Sequence, residues 1–226
     1  MNISQTEITI EDSIEENINN IEDTKRNYKI IKRALDIIIS GVGLVILFLF
    51  LLVIALAIKI DSKGPVLFKH KRIGKGGKII YIYKYRTMLP NAEEMIKEFN
   101  DDQLKEFKEN YKLKKDPRIT RVGKFLRKTS LDELPQLINI LKGELSIVGP
   151  RPVIQEELDR YGENADKFLS VMPGLTGYWQ ANGRSLTTYE QRMKMELYYV
   201  ENCTLLLDIK IFFKTIFIVF KKEGAI

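Results

Sequence analysis

Two adjacent carboxylates, Asp132 and Glu133, stand in the stretch RKTSLDELPQLINILKGELSIVGPRP, residues 127–152, which ends on an arginine fixed between two prolines. Leu134, Leu137, Ile138 and Leu141 recur at spacings of three and four, so residues 131–142 read as one helix closed by Lys142 and Gly143. The carboxylates then occupy its first turn, where free backbone N–H groups and the helix dipole favour bound anions, phosphate included. Neighbours on a helix point about 100° apart, so both acids border one pocket only near such an end. A plainer reading stands beside this one. Ser130 and Glu133 have capping-box spacing, which would make Asp132 an ordinary first-turn acid.

Together with DPRITRVGKFLRKTS before it and MPGLTGYWQANGRS after it, this stretch resembles the bacterial sugar transferases, the monotopic polyprenyl-phosphate phosphoglycosyltransferases. The resemblance covers about residues 28–226. It implies a two-step reaction: the aspartate of the Asp-Glu pair attacks a UDP-sugar, UMP leaves, and undecaprenyl phosphate takes the phosphosugar. By position the nucleophile is Asp132, with Glu133 as its metal or electrostatic partner. Arg127 and Arg151 match phosphate-binding arginines, Arg184 of NGR matches a phosphate or nucleotide contact, and Lys84 and Arg86 of YKYRTM match a substrate-reaching element.

Those residue types suit that chemistry. A carboxylate can be a covalent nucleophile towards phosphorus. The diphosphate needs its charge neutralised, and guanidinium forks suit bidentate phosphate binding. With one histidine and one cysteine, a nitrogen or sulfur cage is not expected; carboxylate and phosphate oxygens point to Mg²⁺, held by Asp132 and Glu133 with substrate.

The surrounding elements must hold this site at a membrane. Ile37–Ile58 is 22 residues without a charge, about 33 Å as a helix and enough to cross a bilayer core. Lysines and arginines flank it on both sides, from Lys25 to Arg33 and from Lys59 to Lys78, so both ends prefer the cytoplasm. The resemblance implies a re-entrant segment too, opening at Lys32, Arg33 and Asp36; where relatives have Ser-Pro this chain has Phe48-Leu49, and a straight span is the alternative. The bacterial plasma membrane, with the catalytic domain on its cytoplasmic face, is the expected location.

Residues 1–24 hold seven acids and no Lys or Arg, leaving 36 basic against 23 acidic residues, a net +13, in the rest. Residues 1–27 therefore read as an acidic, disordered tail, 28–60 as the membrane-inserted helix, and 61–226 as the catalytic domain. No recognition-helix or stacking motif accompanies the basic body, so nucleic acid is not an expected partner; membrane lipids are. Two alternating runs, 66–71 and 79–85, flank the loop at 74–77 as a β-hairpin with a plain turn. His70 reads as a surface residue and Cys203 as a small hydrophobe. Residues 92–111 read as one amphipathic helix, 153–161 and 187–202 as helices, MPGLTGYWQANGRS as an ordered loop, and 204–222 as an interfacial helix. Arg118 and Arg121 add positive field or lie on the surface. Glu196 stands where many relatives have aspartate. The fold expected is α+β and mostly helical, a monotopic domain with a small antiparallel hairpin and a re-entrant or membrane-spanning helix.

The ending KKEGAI resembles the terminus of exopolysaccharide-type members of the family, a resemblance that implies a hexose such as galactose or glucose, in exopolysaccharide, capsule or related glycan assembly. A non-enzymatic scaffold binding anionic lipid or an acidic partner would explain charge and anchoring but not the clustered DE, GPRP and NGR elements. A metal-dependent nucleotide-sugar hydrolase is a second alternative. Oligomeric state, homodimer included, is open.

Overall fold

The computed structural model describes residues 3–110, 113, 116–183 and 187–221. Helix α1, Ile3–Asp61, is uninterrupted. It begins within the acidic segment, which contains neither Gly nor Pro up to Asn27, and it runs through Phe48 and Leu49. Neither of those residues lacks an N–H, so nothing there breaks the ladder. Only 11 % of its most apolar stretch is buried, unlike the core helix of a soluble protein, which is mostly buried. Val45, Leu49 and Ile60 are more than 70 % exposed.

The opposite face of α1 is seated on the body at both ends of its apolar segment. Lys32 Nζ and the Tyr28 hydroxyl donate to Asp208, Arg33 donates to the carbonyls of Ile140 and Leu141, and Asp36 accepts the Ile147 amide at 2.9 Å. Further along, Ile54 and Ile58 are buried, the Tyr85 hydroxyl donates to Leu51 O, and Asp61 accepts the Val122 amide. An unbroken apolar run carries no periodicity of its own, so the polar residues near its ends decide which face docks.

Strands β1, Leu67–Ile73, and β2, Ile79–Tyr85, form the expected antiparallel hairpin, with Phe68 opposite Lys84 and Arg72 opposite Ile80. Their turn uses left-handed Gly76 and Gly77. The amphipathic stretch is not one helix: a 3-10 turn, Glu94–Glu98, precedes α2, Asp101–Asn110, and extended Phe99 parts them.

Helix α3, Arg121–Thr129, is capped by Thr120, whose hydroxyl accepts the Gly123 amide. A Cβ on Gly123 would stand 2.0 Å from Thr87 O, so this close crossing admits glycine alone. The expected helix over 131–142 is divided into a 3-10 turn, Leu131–Glu133, and α4, Gln136–Lys142. Pro135 between them supplies no amide to continue the ladder. Gly143, at φ 78°, ends α4 as expected.

The rest comprises β3, Ser146–Val148; α5, Gln155–Leu158; a 3-10 turn, Asp159–Asn164; α6, Ala165–Leu169; β4, Gly174–Thr176; α7, Tyr178–Asn182; α8, Tyr189–Asn202; and α9, Leu205–Lys221. Strands β3 and β4 pair in parallel, a second small sheet whose β4 lies within what the sequence presents as a loop. The main core joins Ile80 and Ile82 of β2, Leu137 and Ile140 of α4, Ile147 and Val148 of β3, and Tyr199 of α8. The protein is thus mostly helical, with one long apolar N-terminal helix and a small antiparallel hairpin.

Candidate active site

Asp132 and Glu133 are delivered by a turn. Ser130 ends α3 at φ 57°, the only non-glycine residue with positive φ among those described. That conformation is costly for a residue with a Cβ. It reverses the chain, so the acids leave α3 pointing back over β2. The capping-box reading does not hold, because the Ser130 side chain makes no cap hydrogen bond; Glu133 instead accepts Lys84 Nζ at 2.7 Å.

Asp132 is the more perturbed acid. Burial, and then the charge of Glu133, push its pKa up to about 6, with Lys84 and Arg127 pulling against them. Near neutral pH it is still largely ionised and poorly hydrated, as suits a nucleophile. Arg127 reaches the same place from α3, one of its donors, Nε, committed to Thr87 Oγ1 at 2.8 Å. Burial lowers its pKa while Asp132 raises it.

Beside Glu133 a small open cleft is lined by Arg72, Lys84, Glu133, Gln136 and Arg151 among others. Lys84 and Arg72 share one face of the hairpin, because cross-strand partners point the same way and parity is kept along each strand. Arg151 comes from the corner after β3. There Gly149 donates to Thr176 O and Gly174 to Pro150 O, and a Cβ on Gly149 would stand 2.3 Å from Met172 O.

Of the expected site residues, Asp132, Glu133, Arg127, Lys84 and Arg151 converge. Arg86 does not join them: its guanidinium donates to the carbonyls of Ser62 and Lys63. It lies one residue beyond β2, where strand alternation with Lys84 has ended. Arg118 is buried in a two-pronged pair with Asp116 at 2.8 and 2.7 Å, its guanidinium lying against Phe99 and Phe107. Arg121 is exposed. Arg184 lies outside the described residues.

Arg72 was hidden in a KHKR run that reads as surface charge; strand parity with Lys84 is the signal that finds it. His70, expected on the surface, is half-buried beside Arg72. Burial and the cations Arg72, Lys84 and Arg151 lower its pKa to about 4, so it stays neutral. Behind the cleft, Glu157 accepts Arg72 at 3.4 Å and Arg192 at 3.0 Å. Among the described residues no three His, Cys, Asp or Glu side chains gather as a metal cage. The Asp132–Glu133 pair offers carboxylate oxygens, the donor type taken by Mg²⁺, a cation that binds through one or two carboxylates and completes its shell with substrate oxygens and water.

The sequence resembles known proteins over most of its length. An undecaprenyl-phosphate galactose phosphotransferase of Salmonella typhimurium is 44 % identical over 204 residues, 89 % of this chain and 43 % of that protein. Exopolysaccharide production protein ExoY of Rhizobium meliloti is 44 % identical over 197 residues, 86 % of this chain and 87 % of that protein. A UDP-glucose:undecaprenyl-phosphate glucose-1-phosphate transferase of Escherichia coli is 39 % identical over 205 residues, 87 % and 42 % of the two chains. The chain spans less than half the length of the first and third of these. Residues 27–222 match the bacterial sugar transferase family, and with 44 % identity across nearly all of ExoY as well, the chain belongs to that family.

Proposed function

We propose that this protein transfers a hexose 1-phosphate, galactose or glucose, from a UDP-sugar to undecaprenyl phosphate through a phosphosugar-aspartate intermediate, initiating exopolysaccharide, capsule or related glycan assembly. The observation that carries this reading is the turn at Ser130, which presents a desolvated carboxylate between Arg127 and Lys84 beside a cationic cleft. In the first step an Asp132 carboxylate oxygen bonds to the phosphorus that bears the sugar. The bond from that phosphorus to the UMP oxygen breaks, and UMP leaves with the electron pair. In the second, a phosphate oxygen of the acceptor attacks the same phosphorus and Asp132 departs as a carboxylate. No proton transfer is needed in either step.

Arg127, Lys84, Arg151 and Arg72 supply fixed positive charge to the diphosphate and to the departing UMP. Asp132 and Glu133 would hold Mg²⁺, which when bound neutralises phosphate charge. The exposed apolar face of α1, with Phe125 of α3 and Phe213 and Phe217 of α9, is assigned to the cytoplasmic leaflet of the bacterial inner membrane. Contacts from Tyr28 to Asp61 with one body favour keeping both ends of the apolar segment on that side. This sets the carboxylates near the height of the acceptor's phosphate.

Intact-protein mass after incubation with Mg²⁺ and a panel of UDP-sugars, without lipid, tests the reading. The expected result is a mass increase of one phosphosugar, absent in Asp132→Asn. No adduct with any donor from folded protein would sink the covalent mechanism, and UMP release over many turnovers without lipid would identify a hydrolase.

A further inference from the structure

Pro150 and Pro152 have no N–H, so Arg151 supplies the only backbone donor across these three residues. A buried amide needs an acceptor. The neighbouring strands are occupied elsewhere: Gly149 N with Thr176, Pro150 O with Gly174. What meets the Arg151 amide is a side chain from a distant helix, Glu196 of α8, with its two carboxylate oxygens at 3.2 and 3.3 Å. Glu196 is 0 % exposed. Glutamine would satisfy an amide at this place without burying a charge, and burying a charge is expensive.

The charge answers the cations around it. Arg192, one helical turn before Glu196, is 8 % exposed and gives one nitrogen to Glu157, while its Nε and second terminal nitrogen have no hydrogen-bond partner. Burial pushes Glu196 up to about 7, with Arg192, the Arg151 amide and the Arg151 side chain pulling against it and Glu157 reinforcing it. We propose that Glu196 is a positioning residue for the transfer reaction: its carboxylate ties the Arg151 backbone to α8 and so sets the Arg151 guanidinium in the cleft beside Lys84 and Glu133. The inference rests on the transferase reading.

The test compares single-turnover adduct formation by Glu196→Gln, Arg151→Gln and the double variant. A neutral acceptor makes a weaker bond than an ionised one, so Glu196→Gln should lose about tenfold in the second-order rate constant of adduct formation, carried by a raised donor concentration at half-maximal rate. In the Arg151→Gln background the same change should cost less than twofold. Equal losses in both backgrounds, or none in the first, would overturn the proposal. Amide hydrogen exchange at Arg151 is read in parallel and does not depend on activity: faster exchange in Glu196→Gln, with the β1–β2 hairpin unchanged, supports the proposal, and unchanged exchange overturns it. If Glu196→Gln does not fold, Glu196→Asp, with its charge drawn back by one methylene, enters the same comparison. A wild-type chain that makes no adduct counts against the transferase reading alone.

Discussion

Cations along the α1 seam and cations around the cleft are treated differently. At the seam, Lys32 is paired with Asp208, the Arg33 fork caps the carbonyl end of α4, and Arg86 gives both terminal nitrogens to the turn after α1; away from the seam, Arg118 is enclosed by Asp116 and two phenylalanines. At the cleft, Arg72, Lys84 and Arg151 line one opening with Glu133, Lys84 paired to Glu133 and Arg72 held at 3.4 Å from Glu157, which also engages Arg192 behind, itself stacked on Trp179 and Tyr189. A buried cation with its acceptors filled is a fastener. A group of cations short of negative charge is held ready for an anion, at a cost in stability.

Substitutions can break that contrast, and the largest effect belongs to the nucleophile. Asp132→Asn should abolish the phosphosugar adduct and lower transfer by more than about 10³-fold in a radiolabelled-lipid assay. Arg72→Gln or Arg151→Gln should lower kcat/KM by about 10- to 100-fold with a raised donor KM, while the thermal midpoint holds or rises. Arg118→Ala should do the reverse, losing about 3 kcal/mol in denaturant unfolding with little change in kcat/KM of the folded fraction. If Arg72→Gln proved as destabilising as Arg118→Ala, the distinction between fastener and anion site would fail.

A smaller effect sharpens the same point. Asp132 holds its proton up to about pH 6 in the folded chain but only to 3.8 when unfolded. The folded chain thus binds more protons between those values, and stability falls as pH rises through them. The penalty is complete at pH 8 and gone below pH 3.8. Without Mg²⁺, Asp132→Asn should therefore unfold about 1–3 kcal/mol later than wild type at pH 8 and match it near pH 3.5. Equal stability at both pH values would show that the site stores no such strain.

Much of this was legible in the sequence where a local rule decides. The hairpin follows from alternation around Gly74–Gly77, the end of α4 from Gly143, and α8 and α9 from their spacing and caps. The Asp-Glu pair and the Pro-flanked arginine stand out because their residue types sit oddly for core or surface. What escaped depends on pairing at a distance. Strands of three residues are too short for alternation to show, so β4, the partner of β3, hid inside a glycine-rich loop. Pro135 was outweighed by the leucine spacing around it. Arg72 and Arg86 lie in similar basic runs, and only the register of β1 against β2, with the end of β2 at Tyr85, sends one into the cleft and the other to a backbone turn.

The seating of α1 has a mechanical consequence. Bonded to the body near Lys32 and again at Asp61, the helix has no hinge against the domain that carries Asp132. If the apolar face of α1 enters one leaflet as proposed, a rocking of the helix would be a rocking of the whole protein, and would swing the carboxylates toward or away from the headgroup plane. The depth at which that face is held would then be a lever on the reach between Asp132 and a lipid-borne phosphate.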